Sequence, residues 1–207
     1  ASISGDAQTE PLRQWALDNF GEDLLALPRE GRLYVWDQSG GTGNRAVVVS
    51  TAPSASNFMF VSQQDRHVIC LGTHGVASGF DPMLVRWSDQ NDYTNWNVNV
   101  SSTSGENQLG DGSELITGLN TRNQSLIWTD NAVHAMEFVG PPFIFNFRQL
   151  GSNCGIAGQH AAIELDGRIF WMGAKDFFVY DGAVKALPCT VRRFVYDDFN
   201  FDQKEKV

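Results

Sequence analysis

The densest collection of reactive side-chain types in the chain lies between Trp87 and Trp96, where Ser88, Asp89, Asp92 and Thr94 sit between two indoles. Two carboxylates this close could share acid and base roles, or they could hold turns by accepting backbone N–H groups. The second reading is favoured: Asp89 and Asp92 are expected as turn-makers, with Trp87 and Trp96 packed between strands. Other chemical signals are sparse. Gly40, Gly41 and Gly43 lie between Asp37 and Arg45 without the lysine of a phosphate-binding loop, so they read as a hairpin tip. His67, His74, His134 and His160 stand singly and are expected as surface or strand histidines, not ligands. No nucleophile elbow occurs, and no local pattern nominates a Ser-His-Asp triad. Asp111-Gly112-Ser113-Glu114 starts like a calcium loop but lacks its further acidic positions, so it reads as a turn. Cys70, Cys154 and Cys189 have no metal-ligand spacing and are expected as reduced, mostly buried thiols of a protein assembled in the cytoplasm. The expectation is therefore no catalytic residue, no cofactor and no metal.

Composition says what must hold such turns in place. Of 207 residues 42% are hydrophobic and 12% aromatic, enough for a packed core. Twenty glycines and little helical patterning point to many short strands joined by turns. Twenty-four acidic against fifteen basic side chains give a formal charge of −9, the wrong sign for gripping nucleic acid. No stretch approaches the roughly 20 apolar residues of a membrane-spanning helix, and Ala1 to Pro11 has no apolar segment of a secretion signal.

The most informative pattern is an approximate repeat. Four times a short apolar strand is followed by a turn and a second apolar or aromatic strand: 24–27 with 33–37, 68–72 with 83–89, 126–130 with 133–138, and 169–173 with 177–182. The first strands begin at Leu24, Val68, Leu126 and Ile169, giving steps of 44, 58 and 43 residues. Loops 72–82 and 101–112 are expected as the insertions that lengthen the middle step. A recurrence of this length, with about four strands per unit, is the period of a propeller blade. The fold class is therefore all-β, an antiparallel β-propeller, complete or partial, of about four blade-like repeats with one short C-terminal helix. The alternative is a sandwich with similar hairpins. The helix is expected over 191–199, capped by Thr190, with Val191, Phe194, Val195 and Phe199 near one face. Asp18-Asn19-Phe20-Gly21 reads as a tight turn. Residues 1–14 are read as an extension or linker and 15–189 as blades. Residues 190–207 are read as the helix and a lead-in to a further strand, as in a segment of a longer chain.

The Trp87–Trp96 segment loosely resembles the Asp-box hairpin of sialidase-type propellers, without the glycine before the aromatic; in sialidases that box is structural. A sialidase would also need paired carboxylates and an arginine cluster. Arg66, Arg86, Arg122, Arg148 and Arg168 are available, but no spacing singles any of them out. A carbohydrate-binding or sialidase-like propeller is the alternative function, and a protein-interaction propeller the third.

Several segments, in order, resemble the β-propeller tail hub and nozzle proteins of tailed phages, akin to the packaged-DNA stabilisation proteins of short-tailed phages. They are 80–89 with Tyr93-Thr94-Asn95-Trp96, then Leu126-Ile127-Trp128-Thr129-Asp130 with 136–143, then Asn153-Cys154-Gly155, and finally 166–173 with 177–182. Trp128 and Trp171, inside these phrases, are packing candidates beside Trp87 and Trp96. The resemblance covers roughly 15–200. It implies a virion structural subunit in the tail hub, nozzle or head-to-tail neck, with no catalytic residue to carry over. It also implies a homo-oligomeric ring, commonly sixfold, beside adaptor or portal-proximal proteins and distal tail proteins. Genomic DNA would pass without being gripped, and repulsion of phosphate by an acidic wall suits that passage.

Overall fold

The computed structural model describes residues 14–200, sixteen strands and one short α-helix. The strands form four sheets of four, each an antiparallel meander whose neighbours in the sheet are also neighbours in sequence. Blade 1 is β1 (Trp15–Phe20), β2 (Asp23–Pro28), β3 (Tyr34–Trp36) and β4 (Val47–Val48). Blade 2 is β5 (Ser56–Val61), β6 (Val68–His74), β7 (Phe80–Trp87) and β8 (Gly105–Gln108). Blade 3 is β9 (Leu115–Asn120), β10 (Ser125–Thr129), β11 (Ala132–Gly140) and β12 (Ile144–Ser152). Blade 4 is β13 (Ala162–Leu165), β14 (Arg168–Met172), β15 (Phe177–Tyr180) and β16 (Val184–Ala186). The first strands of successive blades touch, β1 against β5 and β5 against β9. The described residues thus form an all-β antiparallel propeller of four blades, followed by one short helix.

The repeat seen in the sequence is the second and third strand of each blade, which carry recurring apolar runs. Two of the fourth strands, β4 and β8, escaped notice for the opposite reason. β4 is only two residues, both exposed, and β8 is Gly-Glu-Asn-Gln, short and polar, so neither offers an apolar run. β5 escaped because all six of its residues are buried, which erases the alternation that marks a half-exposed strand.

Three local expectations are corrected. Asp18 to Phe20 belongs to β1, and the turn falls at Gly21, whose φ of +71° suits glycine. Gly72 lies inside β6, at a register shift, and residues 105–108 form β8; the insertion is the 88–104 connection between β7 and β8. α1 runs Arg192–Asp197 with Val191 at its N-cap and no side-chain cap, so Thr190 does not serve. Its expected apolar face is not buried, and Phe194 is exposed. Tyr196 makes the contact instead, packing on Phe177 and donating its hydroxyl to Gly173 O at 2.9 Å. Of the extension expected over 1–14 only residue 14, and of the stretch expected over 190–207 only residues 190–200, fall within the described residues.

Packing between blades sets the architecture. One core joins blades 1, 2 and 3 through Leu25, Leu27, Met59, Ile69, Leu71, Ile127 and Met136; a second joins blades 3 and 4 through Leu126, Trp128, Ile169 and Trp171. In β10 the alternation splits these two roles, Ile127 facing blade 2 while Leu126 and Trp128 face blade 4. Polar ties run along the first strands. Val61 N donates to Asp18 Oδ2 of blade 1 at 2.8 Å, and Val61 O accepts from Asn120 Nδ2 of blade 3 at 2.7 Å. Blades 2 and 3 approach so closely that a Cβ on Gly118 would stand 2.4 Å from the Phe60 ring.

Gly118→Ala must therefore displace a buried aromatic. It is expected to cost about 1–3 kcal/mol and to lower the urea midpoint. Gly43→Ala, where a Cβ meets nothing within 4 Å, should leave the midpoint unchanged. Equal midpoints for the two variants would contradict this packing.

Candidate functional site

The 88–104 connection is built around one carboxylate. β7 delivers Asp89 at its end, where Oδ1 accepts from Gln90 N at 2.9 Å, Thr103 N at 2.8 Å and Thr103 Oγ1 at 2.5 Å. Asp89 Oδ2 accepts from Asn95 Nδ2 at 2.8 Å, and Asp89 N donates to Asn95 O at 2.7 Å. Asp89 thus ties the start of the connection to its middle and its end. Asp92 closes a smaller turn, accepting from Thr94 N at 2.8 Å and Thr94 Oγ1 at 2.6 Å. The indoles lie beneath: Trp87 Nε1 donates to Thr103 O and Trp96 Nε1 to Tyr93 O, both at 2.8 Å. Trp87 also meets Phe145 of blade 3 edge to face at 5.2 Å.

Burial works against the charge of Asp89, but the hydrogen bonds from Thr103, Gln90 and Asn95 outweigh it and hold the carboxyl below its ordinary value. The same device recurs. Asp37 is lowered by the Ser39 hydroxyl and backbone N–H, and Asp181 by Lys185. Asp130 resists burial through Ser113 and the N–H of Glu114, and Asp111 is lowered by hydrogen bonds from Ser152, Asn131 and Gln149. Asp37, Asp89 and Asp181 each follow the third strand of a blade, so the position is a recurring turn anchor.

The fold brings together one set that no sequence pattern announced. His67 Nδ1 lies 2.8 Å from Asp65 Oδ2, and His67 Nε2 lies 3.1 Å from Thr103 Oγ1. Asp65 also accepts from Ser62 Oγ. His67 is fully buried, not a surface group, and rests against Phe138 and Phe145. An Asp-His-hydroxyl chain suggests a nucleophile. However, the Thr103 hydroxyl has one proton, and its 2.5 Å bond to Asp89 takes that proton away from His67. The set is a buried brace. Thr103 is 36 residues from His67, so no local signal could have found it.

Trp128 and Trp171 lie elsewhere, edge to face at 5.7 Å in the packing between blades 3 and 4. Trp171 Nε1 donates to Cys154 O at 2.8 Å, whereas buried Trp128 Nε1 has no partner. Burial pushes the Cys70 thiol up to about 12 and raises that of Cys154; all three cysteines are free. His134 is buried within β11, and burial lowers its pKa.

Two open grooves, of about 280 and 450 Å³, adjoin the β9–β10 turn and share Thr121, Arg122, Gln124 and Glu164. Of the five arginines noted in the sequence, Arg122 alone lines them. Arg86 is buried and donates to His74 O and Trp96 O, Arg66 lies over Phe20, and Arg148 pairs with Glu137 at 3.6 Å. The arginines therefore do not converge in either groove. Among the described residues no group of three or more His, Cys, Asp or Glu is placed to hold a metal ion.

Because Asp89 is held ionised, its contribution is present above the unfolded carboxylate pKa and lost as pH falls through the lower folded one. Asp89→Asn puts an amide opposite the Asn95 amide and is expected to cost about 1–2 kcal/mol at pH 7. The gap between wild type and variant in urea midpoint should narrow as pH drops through the carboxylate range. A gap that stays constant with pH would contradict the charged anchor.

No family model matches the chain, and no curated protein matches it. Among solved structures, the extracellular domain of the BT4673 system from B. thetaiotaomicron aligns over 86% of this chain, with a TM-score of 0.55 and 13% identity. A second structure of that domain aligns over the same share at a TM-score of 0.54 and 12% identity. Hsv2 of Kluyveromyces lactis aligns over 84% of this chain and 48% of its own, at a TM-score of 0.43 and 7% identity, and carries no argument. The chain spans 22% of the length of the BT4673 chain, and at such identity the likeness is one of fold alone: an all-β, propeller-like chain.

Proposed function

We propose that this chain is a structural subunit of a phage virion, placed in the tail hub, nozzle or head-to-tail neck. There it shapes or closes the DNA exit channel and holds neighbouring tail proteins. The observation that supports this most is where the perturbed ionisable groups are spent. Active sites ordinarily concentrate such groups in a cleft. Here Asp37, Asp89, Asp130 and Asp181 hold turns, and Cys70 and Cys154 are buried thiols. The chain's work then lies in its surfaces. Exposed apolar side chains at connections, Val98, Val100 and Phe143, offer contacts to neighbouring proteins.

The ordered phrases from 80–89 to 177–182 supply the tail class. The charge of −9 agrees with a conduit that lets phosphate pass. Copies of the chain would assemble with one another and with adaptor, portal-proximal and distal tail proteins. Among the described residues no helix is long and apolar enough to cross a membrane.

The test is to purify the phage encoding this chain, identify the chain's peptides in intact particles, and label it with gold-conjugated antibody. Label at the tail vertex is expected. Absence from particles, or label spread over the capsid, would sink the assignment.

A further inference from the structure

The two grooves beside the β9–β10 turn lie between blades, one chiefly between blades 2 and 3, the other between blades 3 and 4. Strand alternation explains the division. In β11, Met136 faces the core shared with blade 2 and Phe138 follows it, whereas Ala135 faces blade 4 and Glu137 follows it. Ala162 of β13 packs toward blade 3, so Glu164 points the same way, in one row with Ile169 and Tyr180. The turn stands in the middle. Thr121, Arg122 and Gln124 line both grooves, as does Glu164, and join them into one trough.

Much of this surface is fixed before any ligand arrives. On the blade 2 side Ser62, Asp65 and Ser125 are buried polar residues that line the trough. Ser62 donates to Asp65, which His67 braces, and Ser125 Oγ donates to Asn120 Oδ1 at 2.9 Å. Gln64 Nε2 donates to Arg122 O and ties the β5–β6 turn to the β9–β10 turn. Gln124 Nε2 donates to the Tyr180 hydroxyl at 3.1 Å and ties that turn to blade 4. Walls held in this way lower the ordering cost of binding. Two charged side chains are left over. Among the described residues neither the Arg122 guanidinium nor the Glu164 carboxylate has a hydrogen-bond or ion-pair partner, and both are exposed in the trough.

The chemistry of the lining selects the ligand. The exposed amides of Gln63, Gln64 and Asn123 each combine donor and acceptor, as neighbouring hydroxyls require. The exposed Phe138 ring offers an apolar surface for C–H groups. One free cation beside one free anion favours no charged ligand, and an acidic sugar would call for arginines that converge. A helical or proline-rich peptide would need an apolar or aromatic trench, and amides rim this one instead. We propose that the trough between blades 2, 3 and 4 binds an uncharged oligosaccharide. Arg122 donates to its hydroxyls, Glu164 accepts from them, and Phe138 lies against a sugar ring. The site is built by residues 62–180 and holds whether or not the chain is a virion subunit.

The test applies the full chain to a printed array of neutral, sialylated and sulfated oligosaccharides, then titrates the retained sugar by calorimetry. Retention of neutral chains is expected. Arg122→Ala and Glu164→Ala remove exposed side chains, so circular dichroism should be unchanged while each weakens affinity roughly tenfold or more. Lys175→Ala, at the other end of blade 4, should leave affinity as it is. Retention of no glycan, or of sialylated or sulfated chains alone, would overturn the proposal. So would a neutral chain whose affinity either trough variant leaves unchanged. The place of the chain in a particle is read separately, by antibody labelling, so either reading can fail without the other.

Discussion

A four-stranded sheet has two faces, and covering both is the constraint on which this molecule depends. No blade here is large enough to bury its own apolar side chains. Burial comes from stacking each blade on the next, at roughly 25 cal/mol for each Å² of apolar surface removed from water. Blade 2 shows the result: β5 and most of β6 are buried on both sides, so residues of opposite orientation such as Met59 and Phe60 are both lost from solvent. Close stacking leaves little room for error between blades. Gly118 exists at the contact because the Phe60 ring occupies the place of its side chain.

Turns are the second consequence. A meander of short strands must reverse every few residues, and each reversal frees backbone N–H groups that need acceptors. Ionised aspartates supply them at Asp37, Asp89 and Asp130, with Asp92 closing the small turn inside the longest connection. The hydrogen bonds that hold these turns are also what lowers the carboxyls of Asp37, Asp89 and Asp130. The buried Asp65–His67–Thr103 chain follows the same logic. Its hydrogen bonds anchor the β5–β6 turn to the end of the 88–104 connection.

What could be read from the residues follows from where each strand sits. Second and third strands such as Val68–His74 and Phe80–Trp87 carry apolar runs that any periodicity argument detects, and their spacing gives the blade period. β4 is only two residues and β8 is a polar edge, so neither gives such a signal, while β5 is buried on both faces and loses its alternation. α1 was legible as a helix, but not its contact, since Tyr196 rather than Phe194 meets blade 4 through Phe177. At the Asp89 cluster the residue types pointed to turns; which donors Asp89 would gather could not be read, because Thr103 lies fourteen residues away. His67 was least legible of all, its partners being set by how the turn and the connection fold together.

The central claim is that the blades stand around one axis with their first strands innermost. Experimental density that separates the strands of this chain tests it directly. The account requires β1, β5 and β9 side by side at the axis, with the fourth strands at the perimeter and Trp128 against Trp171 between blades 3 and 4. Two sheets stacked face to face, with first strands apart, would contradict it.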